Sequence, residues 1–309
     1  MKSNFENSVD IKGYVFNHTL ARKTSRKGQD YIGGVLNVAT DVDAMNVVPV
    51  HFTYVVPTYK NGNPNATYEL LGQIIDNNNT YELNGASAMK VRISGDIECN
   101  DFVTRDGEMA SPKRVRGSFA HPETNDIAAV GCAKFKTDIL IEGYQEVEDE
   151  MNGNYGRVRG FVFNFRNDFL PVDLTIRDKS GMSYFEKAEP TVSDPLLTSV
   201  WGDIVCTTVV KETKVESAFG APDIKTTTRT LRAWDITGAA SEPYEFGEDE
   251  VMTAEDVKKG KANREQHLAE VRANHEEYQK SRNASNNNDN TFPTTQKSAS
   301  PTASTNYKF

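Results

Sequence analysis

The chain has 309 residues, 37% of them hydrophobic, which is enough for a real core and, by length, suits two modest domains better than one. No run approaches the roughly 18 apolar residues of a membrane span, and the opening MKSNFENSVD lacks the apolar stretch of a signal peptide, so a cytoplasmic protein without membrane contact is expected. The formal charge of −9 speaks against a polyanionic partner, and Cys99, Cys132 and Cys206, odd in number and far apart, indicate neither a disulfide framework nor a metal site.

In chain order, the first copy of a β-rich unit is expected over residues 1–144. Its runs VDIKGYVFN, YIGGVLNVAT, NVVPVHFTYVV, MKVRISGDIE, KRVRGSFA and KFKTDILIEG are short, rich in β-branched and aromatic residues, and separated by Gly, Asn, Asp and Pro. The segment HTLARKTSRKGQDY joins the first two and carries Arg22, Lys23, Arg26 and Lys27 beside Thr24, Ser25 and Gly28. Such a basic hairpin suits phosphate contacts along a flexible strand, and it equally suits an ordinary solvated turn. The Asn- and Gly-rich stretch around 60–86 has loop composition and reads as an insertion over about 57–88. A second basic cluster, Lys113, Arg114 and Arg116, opens a later strand.

An acidic linker is expected at 145–151, followed by a second β-rich unit at 152–247 with the runs RVRGFVFNF, LPVDLTIRD, VWGDIVCTTVV and TTTRTLRAWDI. Two motifs recur in the same order. IKGYVFN at 11–17 matches VRGFVFN at 158–164, and ISGDIECNDFV at 93–103 matches VWGDIVCTTVV at 200–210. The offsets are 147 and 107 residues, which gives the first copy 40 extra residues between its motifs. Strand spacing of this kind suits a small closed barrel or a sandwich.

Residues 248–282 combine an acidic segment with one charged helix, with Thr253 as N-cap and Glu255 and Asp256 in the first turn. Gly260 weakens this helix, and its few apolar residues (Val257, Leu268, Val271) suggest that it is solvated rather than packed. From 283 to 309 the composition is that of a disordered tail. The charge is unevenly spread along the chain. Residues 142–150 hold five acidic side chains and 245–256 hold six, with no basic ones in either, and outside them 33 acidic residues face 35 basic. The folded parts can therefore carry basic patches.

Catalytic signals are weak. His18, His51, His121, His267 and His275 are scattered, without metal-ligand spacing, a nucleophile elbow or a phosphate loop. Asp96 and Asp203, at matching motif positions, read as structural. Binding signals are stronger. Strand alternation puts Tyr14 and Phe16 on one face, and Phe161, Phe163 and Phe165 on a corresponding face beside Arg159. Tyr31, Tyr54, Trp201 and Trp234 are further candidates for base stacking, and core packing is the competing role for at least half of these rings.

Residues 11–56 carry a resemblance. IKGYVFNHTLARKTSRKGQDYIGGVLNVATD, with Gly13, Asn17, the Arg22 to Lys27 loop, Gly28 and the strand ending at Ala39, Thr40 and Asp41, resembles the opening of bacterial and phage single-stranded DNA-binding proteins. NVVPVHFTYV resembles their third strand. The resemblance implies an oligonucleotide-binding (OB) fold, and the motif repeat, a departure from the one domain usual in that family, makes it an all-β chain of two tandem five-stranded barrels followed by a short helix and the tail. It also implies single-stranded DNA as ligand, with RNA left open, in phage or mobile-element replication or recombination, in the host cytoplasm if phage-encoded. No cofactor, metal or enzymatic step is implied, and replication or recombination proteins are candidate partners of the C-terminal region. The family's acidic tip ending in Pro-Phe is absent, with only the terminal Phe309 kept. The competing expectation is a structural or assembly module that uses the same barrels to bind proteins, and a nuclease has the least support.

Overall fold

The structure is a computed structural model and describes residues 4–128, 130–149, 153–215, 223–245 and 251–288. Alternation sets its strands. In β1 (Asn7–His18), Val9, Ile11 and Val15 are buried on one face, filling the interior with β-branched side chains. β1 pairs antiparallel with β3 (Asp30–Ala39), which pairs with β4 (Val47–Val55). β4 then runs parallel to β8 (Lys113–Pro122), β8 antiparallel to β5 (Lys90–Cys99), and β5 returns to β1. Five strands in the order 1-2-3-5-4-1 close a barrel, which is the connection order of the OB fold. A short β2 (Ala21–Thr24) extends β3 as a hairpin, and a small ribbon of β6 (Phe102–Val103) and β7 (Met109–Ala110) lies between β5 and β8.

The stretch expected to be a loop insertion contains two helices, α1 (Ala66–Asn77) and α2 (Tyr81–Asn84). Two of its Asn residues cap the first of these helices. The Asn65 side chain accepts from the Thr67 amide at one end of α1, and Asn78 adopts the left-handed conformation at the other. Between these caps Leu70, Leu71 and Ile74 recur at helical spacing and are buried against the barrel.

The second set of strands repeats the pairing order, but it starts earlier than the sequence suggests. β9 (Ala133–Val147) pairs with β10 (Tyr155–Phe163), β10 with β11 (Phe169–Ile176), β11 in parallel with β13 (Asp223–Ala239), β13 with β12 (Leu196–Val215), and β12 with β9. α3 (Lys179–Ala188) stands between β11 and β12, as α1 stands between β4 and β5. The boundary at 144 therefore cuts through a strand of the second ring. Gln145, Glu146 and Val147, expected in a linker, are paired in β9, and residues 150–152 lie outside the described residues. β9 also pairs with β1, so eleven strands form one sheet and a single buried cluster runs through both rings.

The first motif match is not one of equivalent strands, for IKGYVFN lies in the first strand of its ring and VRGFVFN in the second of its own. Their glycines share one task. A Cβ on Gly13 would overlap the Ala39 carbonyl of β3, and one on Gly160 the Leu140 carbonyl of β9, so each marks the crossing of first and second strands from opposite sides. The second match is equivalent: Gly95 and Gly202 both sit at a bulge, against the fifth strand's backbone.

The charged helix is α4 (Ala254–Asn288), 35 residues long rather than short. Its first turns are packed and not solvated. Met252 is fully buried, Val257 packs beside Phe163 and Phe169, and Gly260 lies on the Phe169 ring, where a Cβ would overlap it. Gly260 is thus a site of close approach. The tail expected from 283 is helical to 288, and its remainder, 289–309, lies outside the described residues.

Candidate nucleic-acid interface

The strand 2–3 face of an OB barrel and the loops between strands 1 and 2 and strands 4 and 5 are its usual oligonucleotide platform. In the first ring that face is β3 and β4. Tyr31 and Tyr54 meet there with ring centroids 4.5 Å apart and planes inclined 35°, and Tyr54 is half exposed. Lys23 stands directly across the β2 and β3 pair from Tyr31. The hairpin turns at Gly28 (φ 77°), held by the Ser25 amide donating to the Gln29 carbonyl at 2.8 Å. Arg26 and Lys27 at its tip are exposed and, with Lys23, have no ion-pair partner among the described residues.

Arg22 is different. Its side chain points to α1 and donates to both carboxylate oxygens of Asp76, at 2.7 and 2.8 Å. This hydrogen bonding raises the guanidinium above its ordinary value and lowers the Asp76 carboxyl. Strand alternation separates Arg22 from Lys23, which sequence counting treats as one basic cluster.

The cluster opening β8 is also divided. Arg114 pairs with Glu98 at 2.8 Å, and Arg116 bonds both oxygens of Asp96 at 2.8 and 2.6 Å, each across the β5 and β8 ladder. Both are cross-strand structural pairs, which explains the Asp of the first motif. Lys113 has no such partner, and burial pushes its ammonium down against the attraction of Asp173.

Of the aromatic candidates, Tyr14 is buried and Phe16 is partly covered, both beneath the ring of Tyr81 from α2. Phe163 is fully buried between Phe5 and Phe169, with centroids 4.4 and 5.1 Å away. Trp234 is buried against Phe135 at 5.5 Å. These four serve packing, because large rings fill the gaps between the barrel walls and the helices that cap them. Phe161 is partly exposed, with the Lys261 ammonium 5.7 Å from its ring centroid, and Arg159 beside it is exposed. Trp201 is exposed but lies over Gly238, opposite Lys136, on the first and fourth strands of the second ring rather than on the second and third.

His51 stands in the sequence only as one of five scattered histidines and Arg232 was not singled out, yet both line a cleft of about 270 Å³ between the rings. Burial, and then the charge of Arg114, lower the imidazole of His51. Alternation within NVVPVHFTYVV and TTTRTLRAWDI was the available signal, since each residue lies an even step from an outward neighbour. Among the described residues no group of three or more His, Cys, Asp or Glu could hold a metal ion, and no helix is long and apolar enough to cross a membrane.

A sequence profile of the YorF family matches residues 6–274. The chain belongs to the YorF family. No curated protein matches this YorF-family chain. Among solved structures, it is similar to the single-stranded DNA binding protein from Thermus aquaticus. The match to a deletion mutant has 12% identity and a TM-score of 0.48, covering 80% of this chain and 98% of the other. The match to the wild type has 12% identity and a TM-score of 0.46, covering 77% and 93%.

Proposed function

We propose that this protein binds single-stranded DNA with little sequence preference and catalyses no reaction. The observation that carries the reading is the Tyr31 and Tyr54 pair on the strand 2–3 face of a closed OB barrel, flanked by Lys23, Arg26 and Lys27, which have no ion-pair partner among the described residues. Aromatic faces stack on any base, at about 1–3 kcal/mol each, and unpaired cations track phosphates without reading sequence. The net charge of −9 is compatible with this, because eleven of the acidic residues are concentrated in 142–150 and 245–256, away from the hairpin in the sequence. We also read the two rings as duplicates of one unit, on their shared pairing order and the equivalent Gly-Asp-Ile-x-Cys bulge. From the resemblance of residues 11–56 we propose a role in DNA replication or recombination in the cytoplasm, and from the departures from that family, the repeated unit and the missing acidic tip, a phage or mobile-element origin.

Titration of labelled oligo-dT, oligo-U and a matched duplex at two salt concentrations tests the reading. Tight, salt-sensitive binding of oligo-dT with weak duplex binding is expected. Equal binding of duplex would remove the single-strand assignment, tighter binding of oligo-U would move it to RNA, and no binding would favour an assembly module.

A further inference from the structure

Two clefts open where the rings meet, and they share Pro112 and Lys113. The larger, about 590 Å³, lies along β10 and β11 and includes Arg159, Phe161 and Pro171, which form part of the strand 2–3 face of the second ring. The smaller, about 270 Å³, runs from Pro49 and His51 on β4, part of the first ring's strand 2–3 face, to Arg232 and Trp234 on β13. Lys113, at the start of β8, therefore stands at the one point common to a path between the two faces.

The charges along that path are selectively matched. Two acids line the clefts. Glu142 is taken by Lys261 of α4 at 2.5 Å, whereas Asp173, across the ladder from Arg159, attracts Lys113 without forming an ion pair with it. Just outside, Glu98 is taken by Arg114, and Asp101 by Arg264. Lys113 and Arg232 have no ion-pair partner among the described residues. A half-buried ammonium that has lost water and has no carboxylate in direct contact is stabilised by an arriving anion, and flat apolar groups beside it accept sugars or bases.

We propose that the junction between the rings is a passage for one continuous nucleic-acid strand, in which Lys113 takes a backbone phosphate and Arg232 the next, joining the β3 and β4 face to the β10 and β11 face. This rests on the single-strand reading above and adds the route between the faces. Its consequence is avidity, since a strand long enough to reach both faces gains the second at high effective concentration.

The test uses the full chain with Lys113→Gln and, separately, Arg232→Gln, titrated with oligo-dT of about 8 and about 30 nucleotides, chosen to span one and both rings. Binding of the short oligonucleotide is expected to stay within about twofold of the parent, while the long one weakens about tenfold and its salt slope falls by about 0.7 per variant. Arg232 is exposed, so its replacement leaves the fold intact even where Lys113→Gln lowers the melting temperature. Unchanged long-oligonucleotide binding in the folded variants would overturn the passage, and so would equal weakening of both lengths. A parent protein that binds neither length would overturn the single-strand reading together with the passage.

Discussion

Arg264 of α4 closes on Asp101, 163 positions earlier in the chain, donating to both carboxylate oxygens, one of them at 2.7 Å, while its other contact is the Ser111 hydroxyl at 3.0 Å. Both side chains are more than nine-tenths buried, and His267 reaches the same carboxylate at 3.1 Å. The pair fastens the helix to the loop between the fourth and fifth strands of the first ring.

An acid dependence follows from this pair. Burial opposes ionisation of Asp101, but the hydrogen bonds from Arg264 and Ser111 and the charges of Arg264 and His267 outweigh it and hold the carboxyl below its ordinary value. A depressed native value means that the stabilisation is complete above the unfolded value, about pH 4, and is lost as pH falls through the native one. The protection of amides over residues 254–267, relative to the intrinsic exchange rate at each pH, should therefore stay constant from pH 7 to pH 5 and fall below about pH 4. A fall already at pH 6 would assign docking to another group.

Removing α4 should be costly. A chain ending after Met252 loses the Arg264 and Asp101 pair and uncovers the apolar cluster of Phe163 and Phe169 on which Val257 and Gly260 lie, a loss on the order of 3 kcal/mol, or roughly 6–12 °C in melting temperature for a fold of this size. Thermal denaturation of the shortened chain checks this. A shift under about 2 °C would restore the sequence-based picture of a solvated, unpacked helix.

Gly260→Ala sets two effects against each other. Helix propensity favours alanine by about 1 kcal/mol, whereas overpacking against Phe169 costs about 1–3 kcal/mol. The new Cβ overlaps a ring held between Phe161 and Phe163, so packing wins and the variant should melt below the parent. A higher melting temperature would show that the helix is not seated on the ring.

The basic hairpin should act through three cations and not four. Replacing Lys23, Arg26 and Lys27 with Ala is expected to reduce the salt slope for oligo-dT by about 2, and Arg22→Ala to leave it unchanged, because Asp76 already holds that guanidinium. A slope lowered by Arg22→Ala alone would place Arg22 in the interface.

Stacking should be concentrated at Tyr54 and Tyr31. Either tyrosine replaced by Ala should weaken oligo-dT binding by about 1–3 kcal/mol, whereas Phe16→Ala should change binding little, since the Tyr81 ring covers it. Fluorescence titration of the three variants decides between these rings, and a larger loss from Phe16→Ala would reverse their roles.

Strand content and the basic hairpin were legible in the sequence because they depend on neighbours, whereas strand spacing left barrel and sandwich open and the barrel followed only from the resemblance of residues 11–56. Two-residue alternation in IKGYVFN and turn chemistry at Gly28 act over a few positions. Only the tertiary structure decided where the second ring begins, since β9 belongs to it through pairing with β10 and β12 and not through anything in KFKTDILIEG itself. It also decided which candidates remain available. Arg22, Arg114 and Arg116 look like Lys23 in a string of letters, but carboxylates 16 to 54 positions away neutralise them. Gly260 shows the same limit, since helix propensity is a property of one residue whereas its contact with Phe169, 91 positions earlier, exists only once α4 has docked. Local preferences are short-ranged and act in the unfolded chain, while pairing, burial and charge matching are long-ranged and appear only when the rings close.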